Sequence, residues 1–188
     1  MKIAYILYDG ITLLDFIGVY DPLCRLKAMN YLPDLSWDLC GMQAVVEDSF
    51  GLKMVCDRVE PDLSDYDLLF IPGGFGTRHF QEDEGFLSWL KTAESIPLKT
   101  SVCTGSLLLG AAGFLREKKA TTHFDEYDQL KMYCKEQRTD RIVEDTGVIT
   151  AGAVASALDL GLYLCHKLAG AEAAEEIRKR MDYQPSPG

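Results

Sequence analysis

A strand-like run, a cysteine and a small-residue segment follow one another without a break in Lys99-Thr-Ser-Val-Cys-Thr-Gly-Ser-Leu-Leu-Leu-Gly-Ala-Ala-Gly113. The pattern predicts a short strand, a sharp turn at Cys103 and a helix, with Gly105 letting the backbone of the new helix pack closely. A strand that turns straight into a helix belongs to a parallel sheet, and a side chain at that turn projects into the crevice beyond the strand's carboxyl end. Cys103 is therefore read as the reactive centre rather than as one more buried, inert thiol. The amides and positive end of the helix beside it are expected to favour thiolate over thiol.

The rest of the chain alternates in the same way. Lys2–Tyr8 reads as a buried first strand ending at Asp9-Gly10. Ile11–Asn30 is helical, with Leu14, Ile17, Leu23 and Leu26 at helical spacing, Asp15 just before the main helix and Pro22 early in it. Trp37–Gly41 and Gly51–Cys56 predict a second and a third strand with a turn at Glu47-Asp48-Ser49. A polar loop, Val59–Tyr66, leads into the buried strand Asp67–Ile71, which ends in Pro72-Gly73-Gly74-Phe75-Gly76. Helices are expected over Asp83–Ser95, Asp125–Cys134, from Ala151–Ser156 through Leu168, and over Ala171–Met181; two short strand-like runs flank Asp145-Thr146-Gly147, and the tail Gln184–Gly188 should be irregular. Such alternation implies an α/β fold, one domain over residues 1–188, with a mostly parallel sheet and helices on both faces.

With 47% hydrophobic and 26% charged residues, the 188-residue chain has an ordinary globular composition. A formal charge of −10 argues against nucleic-acid and anionic-membrane partners, which need a concentrated basic face, and leaves a small molecule as the expected partner. The amino-terminal apolar run is too short for a signal-peptide core, and no run approaches a membrane span. Six dispersed cysteines, with no CxxC pair and no zinc-like Cys/His spacing, point to free thiols in a reducing cytoplasm and to no metal. Neither a complete GxGxxG nor a Walker lysine accompanies the glycines after Ile71, so no cofactor is expected.

Asp15, Gly73-Gly74 and Cys103 all follow predicted strands and so should converge at the carboxyl edge of the sheet. Asp15 is a carboxylate among Leu13, Leu14, Phe16 and Ile17; it is either a helix cap or a proton carrier for Cys103. The amides of Gly73 and Gly74 would suit an oxyanion or other developing negative charge opposite the sulfur. Thr104 either positions the acid or a water through its hydroxyl or makes a local first-turn hydrogen bond. His123 is a possible accessory group or a structural donor to a carbonyl.

Pro72-Gly73-Gly74, Ser101-Val-Cys103-Thr-Gly-Ser106 and Ala120-Thr-Thr-His123, in that order, resemble the DJ-1/PfpI superfamily over most of the chain. The resemblance implies a flavodoxin-like three-layer sandwich with a cysteine nucleophile elbow, and a homodimer. Leu14-Asp15 combined with Cys103-Thr104 is most similar to the isocyanide (isonitrile) hydratase branch. That similarity implies attack of Cys103 on an isocyanide carbon, with Asp15 managing protons through a thioimidate. Thr104 stands where peptidase-like members carry histidine, and Asp15 takes the place of the glutamate of DJ-1 and its glyoxalase relatives. A glyoxalase- or amidase-like enzyme and a non-enzymatic cysteine redox sensor are the alternatives.

Overall fold

The computed structural model describes residues 1–184; the tail expectation, beyond Gln184, lies outside the described residues. In chain order the elements are β1 (Lys2–Ile6), α1 (Leu13–Ala28), β2 (Ser36–Gly41), β3 (Val45–Glu47), β4 (Lys53–Val55), β5 (Arg58–Val59), β6 (Leu68–Ile71), α2 (Thr77–Phe80), α3 (Glu84–Lys91), β7 (Leu98–Val102), α4 (Gly105–Ala111), β8 (Lys119–Ala120), α5 (Tyr127–Leu130), β9 (Glu136–Gln137), β10 (Ile142–Asp145), β11 (Val148–Ala151), α6 (Ser156–Ala169) and α7 (Ala171–Arg180). No helix among the described residues is long and apolar enough to cross a membrane.

The uninterrupted apolar runs become the middle of a seven-stranded sheet in the order β10-β11-β7-β6-β1-β2-β5. Every pairing is parallel except that of β10 with β11. All of β6 and β11, and β1 from Ile3 onward, are buried, as strands covered on both faces must be. Tyr5 of β1 meets the rings of Phe16 and Tyr20 on α1, whereas Tyr8, at the end of the same run, meets Phe80 of α2 and Phe86 of α3. The chain leaves β1 for β2 on one side and then for β6 and β7 on the other, so the order reverses between β1 and β6. Loops diverging at such a point leave a crevice at the strands' carboxyl ends.

Several expectations change in detail. Gly51–Cys56 does not extend the main sheet: Lys53–Val55 closes a hairpin with β3, around a turn in which Asp48 Oδ1 accepts the Phe50 and Leu52 amides at 2.8 Å each. The sheet edge is instead taken by β5. Ala151, expected to open the last long helix, is the final residue of β11, paired with Val102 and Ile142. The helix expected through Cys134 stops at Leu130, because the Lys118 carbonyl accepts the Lys135 amide at 2.9 Å and draws the chain into β9 beside β8.

Pro22 lies in the middle of α1, not early in it, and the helix runs on past it. Proline lacks the amide that the Gly18 carbonyl would otherwise receive. That carbonyl faces α6 at Gly161, where a Cβ would stand 2.7 Å from Gly18 O and 2.8 Å from Pro22 Cγ. Cys165, one turn on, donates its thiol to the Pro22 carbonyl at 3.3 Å. Small residues thus let α1 and α6 approach closely enough to cover the carbonyls that the proline disturbs. Gly161→Val should cost about 2–3 kcal/mol in urea unfolding through overpacking against backbone; a variant as stable as the parent would contradict this contact.

Candidate active site

Cys103 joins β7 to α4 with a φ of +55°, a left-handed conformation that costs a non-glycine residue energy and has to be held by its surroundings. Its amide is shared between the carbonyls of Ala151 (3.0 Å) and Gly152 (2.8 Å), and its carbonyl accepts the hydroxyls of Thr122 (3.0 Å) and Ser106 (3.2 Å). The backbone at the turn is therefore fastened from both ends. Gly105 behaves as the sequence suggests: a Cβ there would lie 2.3 Å from the Ile71 carbonyl, so only glycine lets α4 start this close to β6.

Asp15 lies inside the first turn of α1 rather than just before it, and it does not cap that helix. The carboxyl is fully buried and crosses to the loop after β6, where Oδ2 accepts the Gly73 amide at 3.0 Å. Oδ1 is buried without a hydrogen-bonding partner of good geometry among the described residues. Loss of water raises the Asp15 pKa from 3.8 to about 6, against the pull of the Gly73 amide and of the Cys103 thiol beside it.

The thiol does not behave as expected from its helix. Burial first, and then the Asp15 charge, push Cys103 up to about 12, while the Thr104 amide at the sulfur pulls the other way. The seven-residue α4 is too weak a counterweight for a sulfur out of water beside a carboxylate. At neutral pH the pair holds one proton, on sulfur, with the carboxylate next to it.

A second correction concerns the glycine amides. Gly73 N–H is taken by Asp15, and Gly74 N–H by Thr104 Oγ1 at 3.0 Å, so neither stands free for an oxyanion. Thr104 also donates its hydroxyl to the Gly74 carbonyl at 3.2 Å. Its side chain thus clasps the β6 loop and makes neither of these bonds to the acid. Tyr8 fixes the start of the same loop, donating to the Pro72 carbonyl at 2.5 Å from a phenol that burial keeps protonated.

Above the sulfur opens a cleft of ≈ 280 Å³ lined by Thr12, Gly74, Phe75, Cys103, Thr104, His123 and Val154, with Arg78, Asp125 and Glu126 at its charged side. Asp15 is not among the lining residues; it reaches the cleft only through Cys103. His123 does line it, and its Nδ1 accepts the Asp125 amide at 3.2 Å, which leaves the ring proton on Nε2.

Comparison with known proteins identifies the family. The family model described as DJ-1/PfpI family matches residues 1–167. The chain belongs to the DJ-1/PfpI family. It is 34% identical to the isonitrile hydratase of Pseudomonas putida, over 100% of this chain and 80% of that protein. A ThiJ/PfpI family protein from Pseudomonas syringae superposes with a TM-score of 0.88 at 31% identity, covering 99% of this chain and 76% of that one. Schizosaccharomyces pombe DJ-1 shares the fold, with a TM-score of 0.81 at 18% identity, covering 98% and 100% of the two chains.

Asp15, Gly73-Gly74 and Cys103 converge as their positions after strands predict, and the Ala120–His123 segment joins them. Thr122, not singled out in Ala120–His123, is the residue that supports the Cys103 carbonyl. Tyr8, Thr12, Arg78, Glu126 and Val154 also went unremarked; only Thr12, immediately before a helix that carries a buried acid, had a local signal.

Asp15 binds its proton more tightly folded than unfolded, so its contribution to stability is present below about pH 4 and lost as pH rises through about 6. Asp15→Asn should therefore gain stability relative to the parent on going from pH 4 to pH 8, by up to about 3 kcal/mol. Melting temperatures at the two pH values test this; a difference independent of pH would mean that the carboxyl is not held out of water.

Proposed function

We propose that this DJ-1/PfpI protein is a cysteine-dependent isocyanide hydratase, converting an isocyanide and water to an N-substituted formamide. One observation carries the reading: a buried carboxyl with a proton affinity near neutrality lies against a thiol that opens onto a cleft. The 34% identity to an isonitrile hydratase supports it. As the Cys103 sulfur attacks the terminal isocyanide carbon, its proton passes to Asp15 and from there to that carbon, giving the thioimidate RN=CH–S. Water then adds to the imine carbon, one water proton goes to nitrogen, the C–S bond breaks, and the sulfur leaves with the other as thiol. Asp15 relays these protons, ending as it began.

In this mechanism a thiol with a high pKa is no handicap, since the base that takes its proton is in contact with it. Thr104, Gly73 and Gly74 act by positioning: they lock the β6 loop against Asp15 and Cys103. His123 offers Nε2–H as an accessory donor in the cleft wall.

Asp15→Asn should leave the fold intact and lower isocyanide turnover roughly a hundredfold or more, and Cys103→Ser should abolish it. In the parent, kcat/KM should fall as pH drops through about 6, where Asp15 becomes protonated, and the Asn variant should lack that limb. Formamide formation followed from pH 5 to 8 on the same preparations checks each outcome; an Asp15→Asn protein of full activity would end the proposal.

A homodimer belongs to the same proposal. Most apolar residues of Ile11–Asn30 are accounted for by burial within the chain, but Leu14 (51% exposed) and Ile17 (41%) are not. The β3–β4 hairpin exposes Phe50 (87%) and Val55 (69%), and Ser49 ties it to the loop that precedes α1 by donating to the Gly10 and Ile11 carbonyls. These exposed apolar side chains are the surface that we propose a second copy covers. Sedimentation should give a dimer for the parent and a monomer for Leu14→Glu/Phe50→Glu; a parent at monomer mass would refute this part.

A further inference from the structure

Arg78 and Glu126 meet at the edge of the Cys103 cleft. Arg78 is on α2, close after the glycine loop, and Glu126 is on the turn that follows His123. Arg78 Nη2 donates to Glu126 Oε1 at 2.7 Å, and the guanidinium carbon lies 5.2 Å from the centre of the Phe75 ring. The arginine side chain is 53% exposed but the glutamate only 15%, so the carboxylate is the member set into the wall. One turn further on, Gln129 Nε2 donates to Gln81 Oε1 at 2.8 Å and ties the same two segments. With Asp125, the edge carries one cation and two carboxylates, on a chain of formal charge −10.

A free arginine beside a reactive sulfur would draw anions to it, because the guanidinium fork matches carboxylate geometry. Here the guanidinium is already paired, through Nη2, with the Glu126 carboxylate. We propose that Glu126 is a specificity-determining residue: by holding Arg78 it keeps the cleft selective for uncharged reactants and against carboxylate-bearing ones. The inference rests on reading this cleft as the place where Cys103 reacts. It defines the substrate class as an uncharged molecule whose apolar substituent lies along Phe75 and Val154.

Alkylation of Cys103 tests this without any turnover assay. Iodoacetamide and iodoacetate each form one S–C bond, expel iodide and release the thiol proton to solvent, and they differ chiefly in charge. Their relative rates, followed by mass analysis of the Cys103 peptide, cancel the thiol's own reactivity. Glu126→Gln should raise the iodoacetate-to-iodoacetamide ratio roughly tenfold. Arg78→Met alone should lower it, and in the Glu126→Gln background should cancel the gain. The arginine is half-exposed, so its Met variant is expected to fold, and its ratio decides alone if the Gln variant does not. An unchanged ratio in the single variants, or a gain that survives loss of Arg78, overturns the proposal. A parent inert towards isocyanides would instead end the hydratase reading and leave the role of Glu126 to stand on the alkylation result.

Discussion

A Cβ on Gly73 would stand 2.7 Å from the Thr104 nitrogen and 2.8 Å from both Asp15 Oδ2 and Cys103 Cβ, so the loops after β1, β6 and β7 can meet only around a residue without a side chain. That contact buries the carboxyl fully and leaves the thiol open only toward the cleft. Each then holds its proton more tightly than it would in solution, and the charge on one opposes the charge on the other. The proton is left with two neighbouring sites and little competition from solvent. The alignment of β1, β6 and β7 sets up this closeness: Tyr5 is level with Phe70, and Phe70 with Thr100.

Much of this was legible in the chain because it depends on local pattern. Apolar runs ending in glycine or aspartate gave the central strands, and strand-to-helix spacing located Cys103 at a turn. Asp15, Gly73, Gly74 and Cys103 were expected together because each follows a strand, and they are together. Their bonding was less accessible. Which amide meets which acceptor depends on distances between loops, so Gly73 and Gly74 looked like free donors when Asp15 and Thr104 already hold them. The thiol's ionisation was misjudged for a related reason. Sequence displays the helix that favours thiolate but not the burial that outweighs it. The strand within Gly51–Cys56 is legible, but its partner Val45–Glu47 is not, because three residues carry almost no periodicity.

The cleft divides into an interior and an edge with different physics. Inside, a fully buried acid lies behind a single sulfur, and the Gly73 amide holds the acid in place. At the edge, Arg78, Asp125 and Glu126 are partly in solvent, where screening weakens pairwise energies but the sign of the local field still reaches an approaching molecule. The first region determines what can happen to a bound group, and the second which groups arrive.

The fastening of Cys103 has a wider consequence. Its φ, its amide and its carbonyl are fixed by Ala151, Gly152, Ser106 and Thr122, and neither the two residues that donate hydroxyls nor the two whose carbonyls accept the amide form the cleft wall. The sulfur's address is thus written in contacts to the Cys103 main chain, while the character of its surroundings is written in side chains such as Phe75, His123 and Val154 that carry none of that anchoring. Mutational drift can rework the second set while leaving the first alone, so a lineage built on this backbone can change the surroundings of the cysteine without having to reinvent its position.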